Sequence, residues 1–147
     1  MTPLTTTTEV ARPPEDVFAY VTDPTRFGEW QQGVVGGHID GDGPPTVGDK
    51  CFTTRRIGGA ERSVTSVITH IDPPKAWGVR GVDGPIRATV DVTVAPVSDD
   101  RSRVTITLDF AGQGIGKLLV PMMVRRNARK EMPANLDRLK QRLESDR

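Results

Sequence analysis

The side chains able to carry chemistry are few. The chain has two histidines, His38 and His70, one cysteine, Cys51, and one tyrosine, Tyr20. So small a set rules out a Cys/His zinc cluster, and neither H-E-x-x-H nor G-x-S-x-G occurs, so neither a metal site nor a nucleophile elbow is expected. The segment "CFTTRRI", residues 51–57, reads as a strand with Phe52, Thr54 and Arg56 on one face and Cys51, Thr53 and Arg55 on the other. One of Arg55 and Arg56 then points inward, where a guanidinium can anchor a carboxylate or an enolate. Parity alone does not say which, and two solvated arginines at a strand end are the plain alternative. His70 keeps step with Val64, Ser66 and Ile68. Facing inward it would be a candidate general base; beside a turn it would simply be solvated. His38, set among glycines, reads as exposed.

Two further stretches raise the question of a site. "AGQGIGKLL", residues 111–119, follows a strand and opens a helix, but a P-loop would need Gly and Ser or Thr where Ala111 and Leu118 stand. The dinucleotide fingerprint fails at Lys117, and an antiparallel neighbour is the wrong setting for either motif. The glycines are read as the turn into the helix, and no cofactor is expected. "DPTRFGEWQQGV", residues 23–34, gathers Phe27 and Trp30 in a polar, turn-like segment of a chain that is only 5% aromatic. They either plug the edge of a core or form the lip of a hollow.

The elements that must position these residues are legible from periodicity. Thr5–Arg12 reads as a strand, and Pro13-Pro14 opens a short helix through Val17, Tyr20 and Val21 that Asp23-Pro24 stops. Phe27 and Trp30 then fall in a second short helix or turn. From about residue 34 to 110 the period is two. Val90, Val92 and Val94 alternate with Thr89, Asp91 and Thr93; after "SDDRS", Val104, Ile106, Leu108 and Phe110 alternate with Thr105, Thr107 and Asp109. That predicts a hairpin with one dry and one wet face. Weaker strand signals are "VVGGHID", "DKCFTTRRI", "RSVTSVITHI" and "AWGVRGV", separated by "GDGPPTVG", "GGAE", "DPPK" and "VDGP". Ala128, Met132, Leu136, Leu139 and Leu143 form one stripe of a helix predicted over about 114–145, with Pro121 and Pro133 inside it. Tyr20 is phased for core packing.

The predicted fold is α+β: a strongly curved seven-stranded antiparallel sheet wrapped around a long C-terminal helix, with two short helices between the first and second strands. One helix cannot fill the concavity of such a sheet, so a hollow between them is expected. Its candidate lining is Phe27 and Trp30 at the mouth, then Phe52, Thr54, Trp77, Val79, Val92 and Ile106 from the sheet. Leu119, Met122 and Met123 join from the helix, methionine being suited to irregular apolar shapes.

Composition agrees with a globular chain: 147 residues, 35% hydrophobic, 27% charged, and no run of eighteen apolar residues. The length fits one domain spanning residues 1–147. No signal peptide is evident and the single cysteine makes no internal disulfide, so a cytoplasmic location is expected. The net charge of +1 hides an asymmetry, because residues 117–147 carry nine Lys or Arg against four Asp or Glu. Such a tail is the wet side of a helix or a contact for an anionic membrane surface. Nucleic acid is not expected, since the basic residues lack interleaved aromatics. Monomer and homodimer are both compatible with the sequence.

In order and spacing, "VARPPEDVFAYVTDPTRFGEW", "VTSVITHIDPPKAWGV" and "GQGIGKLLVPMMVRRNARKEMPANLDRLKQRLE" resemble the polyketide cyclase/dehydrase branch of the START-like, helix-grip superfamily (SRPBCC). The resemblance spans essentially the whole chain. It implies the helix-grip fold and a cavity for an apolar or amphipathic small molecule: lipid-, polyketide- or isoprenoid-like. An alternative is a cofactor-free cyclase or dehydratase using His70, Arg55 or Arg56. A third is a structural or membrane-surface module acting through the basic helix.

Overall fold

Seven strands form one antiparallel sheet: β1 Leu4–Val10, β2 Val34–Ile39, β3 Lys50–Ile57, β4 Ala60–Asp72, β5 Ala76–Gly81, β6 Ile86–Ser98 and β7 Arg101–Gly112. Helix α1 (Pro14–Val21) and a 3₁₀ helix (Pro24–Glu29) lie between β1 and β2, and α2 (Gly116–Ser145) closes the chain. The computed structural model describes residues 3–41, 43–57, 59–83, 86–112 and 116–145; positions 57, 86, 111–112, 116–125 and 127 are described by backbone alone. Strand order is β1-β7-β6-β5-β4-β3-β2, so the connection through the two short helices carries the chain from one edge of the sheet to the other.

The local chemistry accounts for each element. Pro14 sits in the first turn of α1, where an N–H is dispensable, with Glu15 and Asp16 beside it at the positive end of the helix. Asp23 caps the 3₁₀ helix by accepting from the Thr25 N–H at 3.0 Å. The alternating runs of β6 and β7 pair Val92 with Ile106 and Val94 with Val104 on the inner face. On the outer face Thr5 meets Thr107 and Thr7 meets Thr105 through their hydroxyls at 3.4 and 3.2 Å. Gly37 is required where the 3₁₀ helix rests on β2: a Cβ there would stand 2.8 Å from the Phe52 carbonyl oxygen and 2.9 Å from that of Pro24.

The stripe along α2 is buried as its spacing predicts, Ala128, Met132, Leu136, Leu139 and Leu143 all being inside. Leu136, Leu139 and Leu143 belong to one cluster with Val10, Val17, Val94 and Val104. The helix end is fastened to the β1–α1 turn: the Ala11 N–H donates to Glu144 Oε2 at 2.9 Å, and Arg12 donates to the Leu143 carbonyl at 3.2 Å.

Bulges interrupt β2 between Val34 and Gly36, β4 between Ile68 and His70, and β6 near Pro96. They bend the strands and help the sheet curl. The β4 bulge also corrects one expectation. Ile68 faces inward and is fully buried, but the extra residue reverses the parity, and His70 emerges on the outer face, exposed. There its imidazole lies over Gly78 and approaches Asp91 Oδ1 at 3.5 Å. His70 is therefore no general base within the concavity.

Candidate functional site

Register assembles the inner face. Cys51 pairs with Ser66 and Ser66 with Gly81; Thr53 pairs with Val64 and Arg55 with Arg62. Trp77 lies between Ile71 and Val92, and Val79 between Ile68 and Val90. These rows continue through Ile106 and Leu108 to β1.

This face is not filled evenly. At one end Val94, Val104 and Val10 are sealed under the C-terminal half of α2. Further along the same strands, Ala88, Val90, Ile106, Leu108 and Phe110 point to the same side yet stay partly exposed. Apolar side chains left partly in contact with solvent on this face are surface that a further group could cover.

Of the two arginines, Arg55 turns inward and Arg56 is exposed on the outer face. Arg55 donates through Nη2 to Gln31 Oε1 at 3.2 Å. Burial lowers the guanidinium's pKa from its usual value, while the charge of Glu131 on α2 acts in the opposite sense. Among the described residues no carboxylate reaches ion-pair distance of it. A guanidinium has five N–H donors, so this cation keeps donors to spare. Cys51, on the same inner face, is buried, and that burial pushes its thiol pKa up.

Phe27, Trp30 and Trp77 are buried together, Phe27 meeting Trp30 at 5.8 Å and Trp77 at 6.3 Å, both edge-on. This is the geometry in which aromatic rings attract beyond their buried area. The 3₁₀ helix is held from outside by Glu29, which accepts from Tyr20 Oη at 3.0 Å, from Arg26 at 3.1 and 3.2 Å, and from Arg142 of α2 at 3.1 Å. Those donors hold the Glu29 carboxyl down at about 2.

The predicted lining thus divides. Trp77, Val79, Val92 and Ile106 lie on the inner face, and Phe27 and Trp30 close in beside Trp77. Phe52 and Thr54 do not: with Arg56 they occupy the outer face, where Phe52 stacks on His38 at 5.0 Å. The cause is the pairing of Cys51 with Ser66, which commits the odd-numbered residues of β3 to the inside. The side chains of Leu119, Met122 and Met123 lie outside the described residues. Two residues near the site carried no usable sequence signal of their own. Gln31 is marked only by following Trp30, and Glu131 only as the lone acid in "RRNARKE". Arg126, Arg129 and Lys130 are exposed on α2. Among the described residues no helix is long and apolar enough to cross a membrane, and no three His, Cys, Asp or Glu side chains gather where a metal could sit.

A family model described as polyketide cyclase/dehydrase and lipid transport matches residues 1–144. No curated protein matches the sequence. Among solved structures, a START superfamily protein from Mycobacterium smegmatis superposes with a TM-score of 0.80 at 19% identity, covering 99% of each chain. The Zhui aromatase/cyclase from Streptomyces sp. R1128 gives 0.79 at 15% identity, over 97% of this chain and 93% of that one. The di-domain aromatase/cyclase BexL from the BE-7585A biosynthetic pathway gives 0.75 at 16% identity, over 96% of this chain but 46% of its own. At such identities the likeness is one of fold: the curled sheet gripping a C-terminal helix.

Proposed function

The chain belongs to the polyketide cyclase/dehydrase and lipid transport family, and on that premise we propose that it acts as one ligand-binding unit holding an apolar or amphipathic small molecule between the sheet and α2. The observation that carries this reading is the row Ala88, Val90, Ile106, Leu108 and Phe110, apolar and inward yet left partly uncovered. Covering them with a lipid-, polyketide- or isoprenoid-like molecule would contribute about 25 cal/mol per Å² of apolar surface. Arg55 would orient the molecule, because a desolvated cation with free donors favours a carboxylate or enolate end. Organic extraction of the purified protein followed by mass spectrometry tests the reading, together with titration by a fluorescent fatty acid. A saturable, one-to-one signal displaced by unlabelled decanoate is expected; a linear, non-saturating response would refute it.

One observation favours a second reading, a cyclase or dehydratase acting in the same space. A desolvated guanidinium is also a stabiliser of developing enolate charge. Such chemistry needs a base, and neither histidine supplies it, since His38 and His70 both lie on the outer face. Under this reading we take Glu131 of α2, the carboxylate whose charge acts on Arg55, for that role. Under this reading Glu131→Gln abolishes turnover of a polyketide-like substrate while binding persists; under the carrier reading it changes affinity alone.

A further inference from the structure

The chain's two tryptophans share an unusual feature. Trp30 is 4% exposed and Trp77 is 2% exposed, and among the described residues the Nε1–H of each is buried with no hydrogen-bond partner. A buried indole N–H ordinarily finds an acceptor, and leaving one unmade costs the full desolvation of the donor. Two such orphans flank a single ring, that of Phe27, and Trp77 stands on the inner face between Ile71 and Val92. Gln31, the chain neighbour of Trp30, holds Arg55. The two indole N–H groups around Phe27 are thus donors without an acceptor among the described residues, and the Gln31 oxygen beside Trp30 in the chain is already engaged by Arg55.

We propose that Trp30 and Trp77 form the hydrogen-bonding subsite of the ligand cavity, and that the ligand brings acceptor oxygens, as a carbonyl or carboxylate, to their indole N–H groups. The inference rests on the binding reading above and deepens it. It makes the cavity selective for oxygenated molecules over hydrocarbons of the same skeleton. A hydrocarbon would leave both donors unpaired; a carbonyl satisfies at least one and gains the energy of a bond made away from water.

Because the chain has two tryptophans, a ¹H–¹⁵N correlation spectrum of the whole protein contains two indole N–H signals and reads the subsite directly. The probes are decane, methyl octyl ketone and decanoate. The expected result is that ketone and decanoate move at least one indole proton downfield, as hydrogen bonding does, while decane does not. The ketone should also bind about tenfold tighter than decane after allowance for their different solubilities. At least one of Trp30→Phe and Trp77→Phe should abolish that preference for ketone over decane. If all three probes bind but the indole protons respond alike to each, or already stand downfield in the free protein because water satisfies them, the subsite assignment is wrong and the binding reading stands. If none binds, both fall.

Discussion

Arg55 on β3 donates to Gln31 in the turn that follows the 3₁₀ helix, 3.2 Å apart. The bond joins β3, the strand next to the sheet edge, to the segment that carries Phe27 and Trp30, and it holds a cation on the inner face without neutralising it. This pair sets the polar end of the site, and the first prediction follows from it. Arg55→Gln should weaken decanoate binding roughly ten- to hundredfold, the worth of a hydrogen bond to a charged group. Arg56→Gln and His70→Ala, both on the outer face, should leave it unchanged. Fluorescence displacement on the three variants decides the matter, and equal losses in all three would show that the faces have been assigned incorrectly.

The same substitution bears on stability in the opposite sense. A cation taken from water with a single neutral partner contributes little to folding, and an apolar replacement of similar length is often neutral or stabilising. Arg55→Met should therefore unfold in urea at the same midpoint as the parent or higher, even as carboxylate affinity is lost.

Glu29 gives a prediction in pH. Its folded pKa, about 2, lies below the ordinary carboxylate value of 4.5 because Arg26, Arg142 and Tyr20 donate to it. A depressed pKa means that the stabilisation is fully present above the unfolded value and is lost as pH falls through the folded one. Glu29 is partly exposed and its partners are screened by solvent, so its contribution is set at about 1 kcal/mol. Urea denaturation of the parent and of Glu29→Gln should differ by this amount at pH 7 and converge between pH 4.5 and about 2. A constant difference across that window would remove Glu29 as the titrating group.

Two glycines with close neighbours should behave differently. A Cβ on Gly37 meets the carbonyls of Phe52 and Pro24, which are backbone and cannot swing away. Gly37→Ala should cost about 2 kcal/mol, in the range of overpacked sites. A Cβ on Gly78 meets the His70 ring and the Asp91 carboxylate, both exposed side chains that can rotate. Gly78→Ala should cost less than about 1 kcal/mol, and adding His70→Ala should recover most of it. Thermal melts of the three variants would check the ranking.

The anchoring half of α2 should be the costliest place to cut. Leu139 is 0% exposed in the cluster with Val104 and Val10. Leu139→Ala should lose about 3 kcal/mol by equilibrium denaturation. A loss below about 1 kcal/mol would mean that this end of the helix does not seal the core.

Much of the fold could be read from periodicity, because burial on one side imposes it. The stripe from Ala128 to Leu143 is buried at every predicted position, and the alternation from Val90 to Phe110 forms the predicted hairpin, buried at Val92, Val94 and Val104. The site was less legible, for two reasons. Within β3 alternation defines two faces without saying which is inside; the choice is made by the distant pairing of Cys51 with Ser66, so Phe52 and Thr54 were placed in the cavity and lie outside it. In β4 an extra residue enters between Ile68 and His70, and "ITHI" contains no glycine or proline to announce the bulge. Of the two readings the sequence leaves open for His70, the bulge selects the solvated one. Gln31 and Glu131 are brought toward Arg55 by the fold alone, which composition does not reveal.

The central claim is that an apolar molecule occupies the inner face beneath α2. Methyl chemical-shift mapping during titration with decanoate tests it most directly. The account predicts saturable shifts at Val90, Val92, Ile106 and Leu108, with the valine methyls of the outer face, Val35 and Val97, unmoved. Saturable shifts confined to the outer face, or no saturable shift on the inner one, would contradict it.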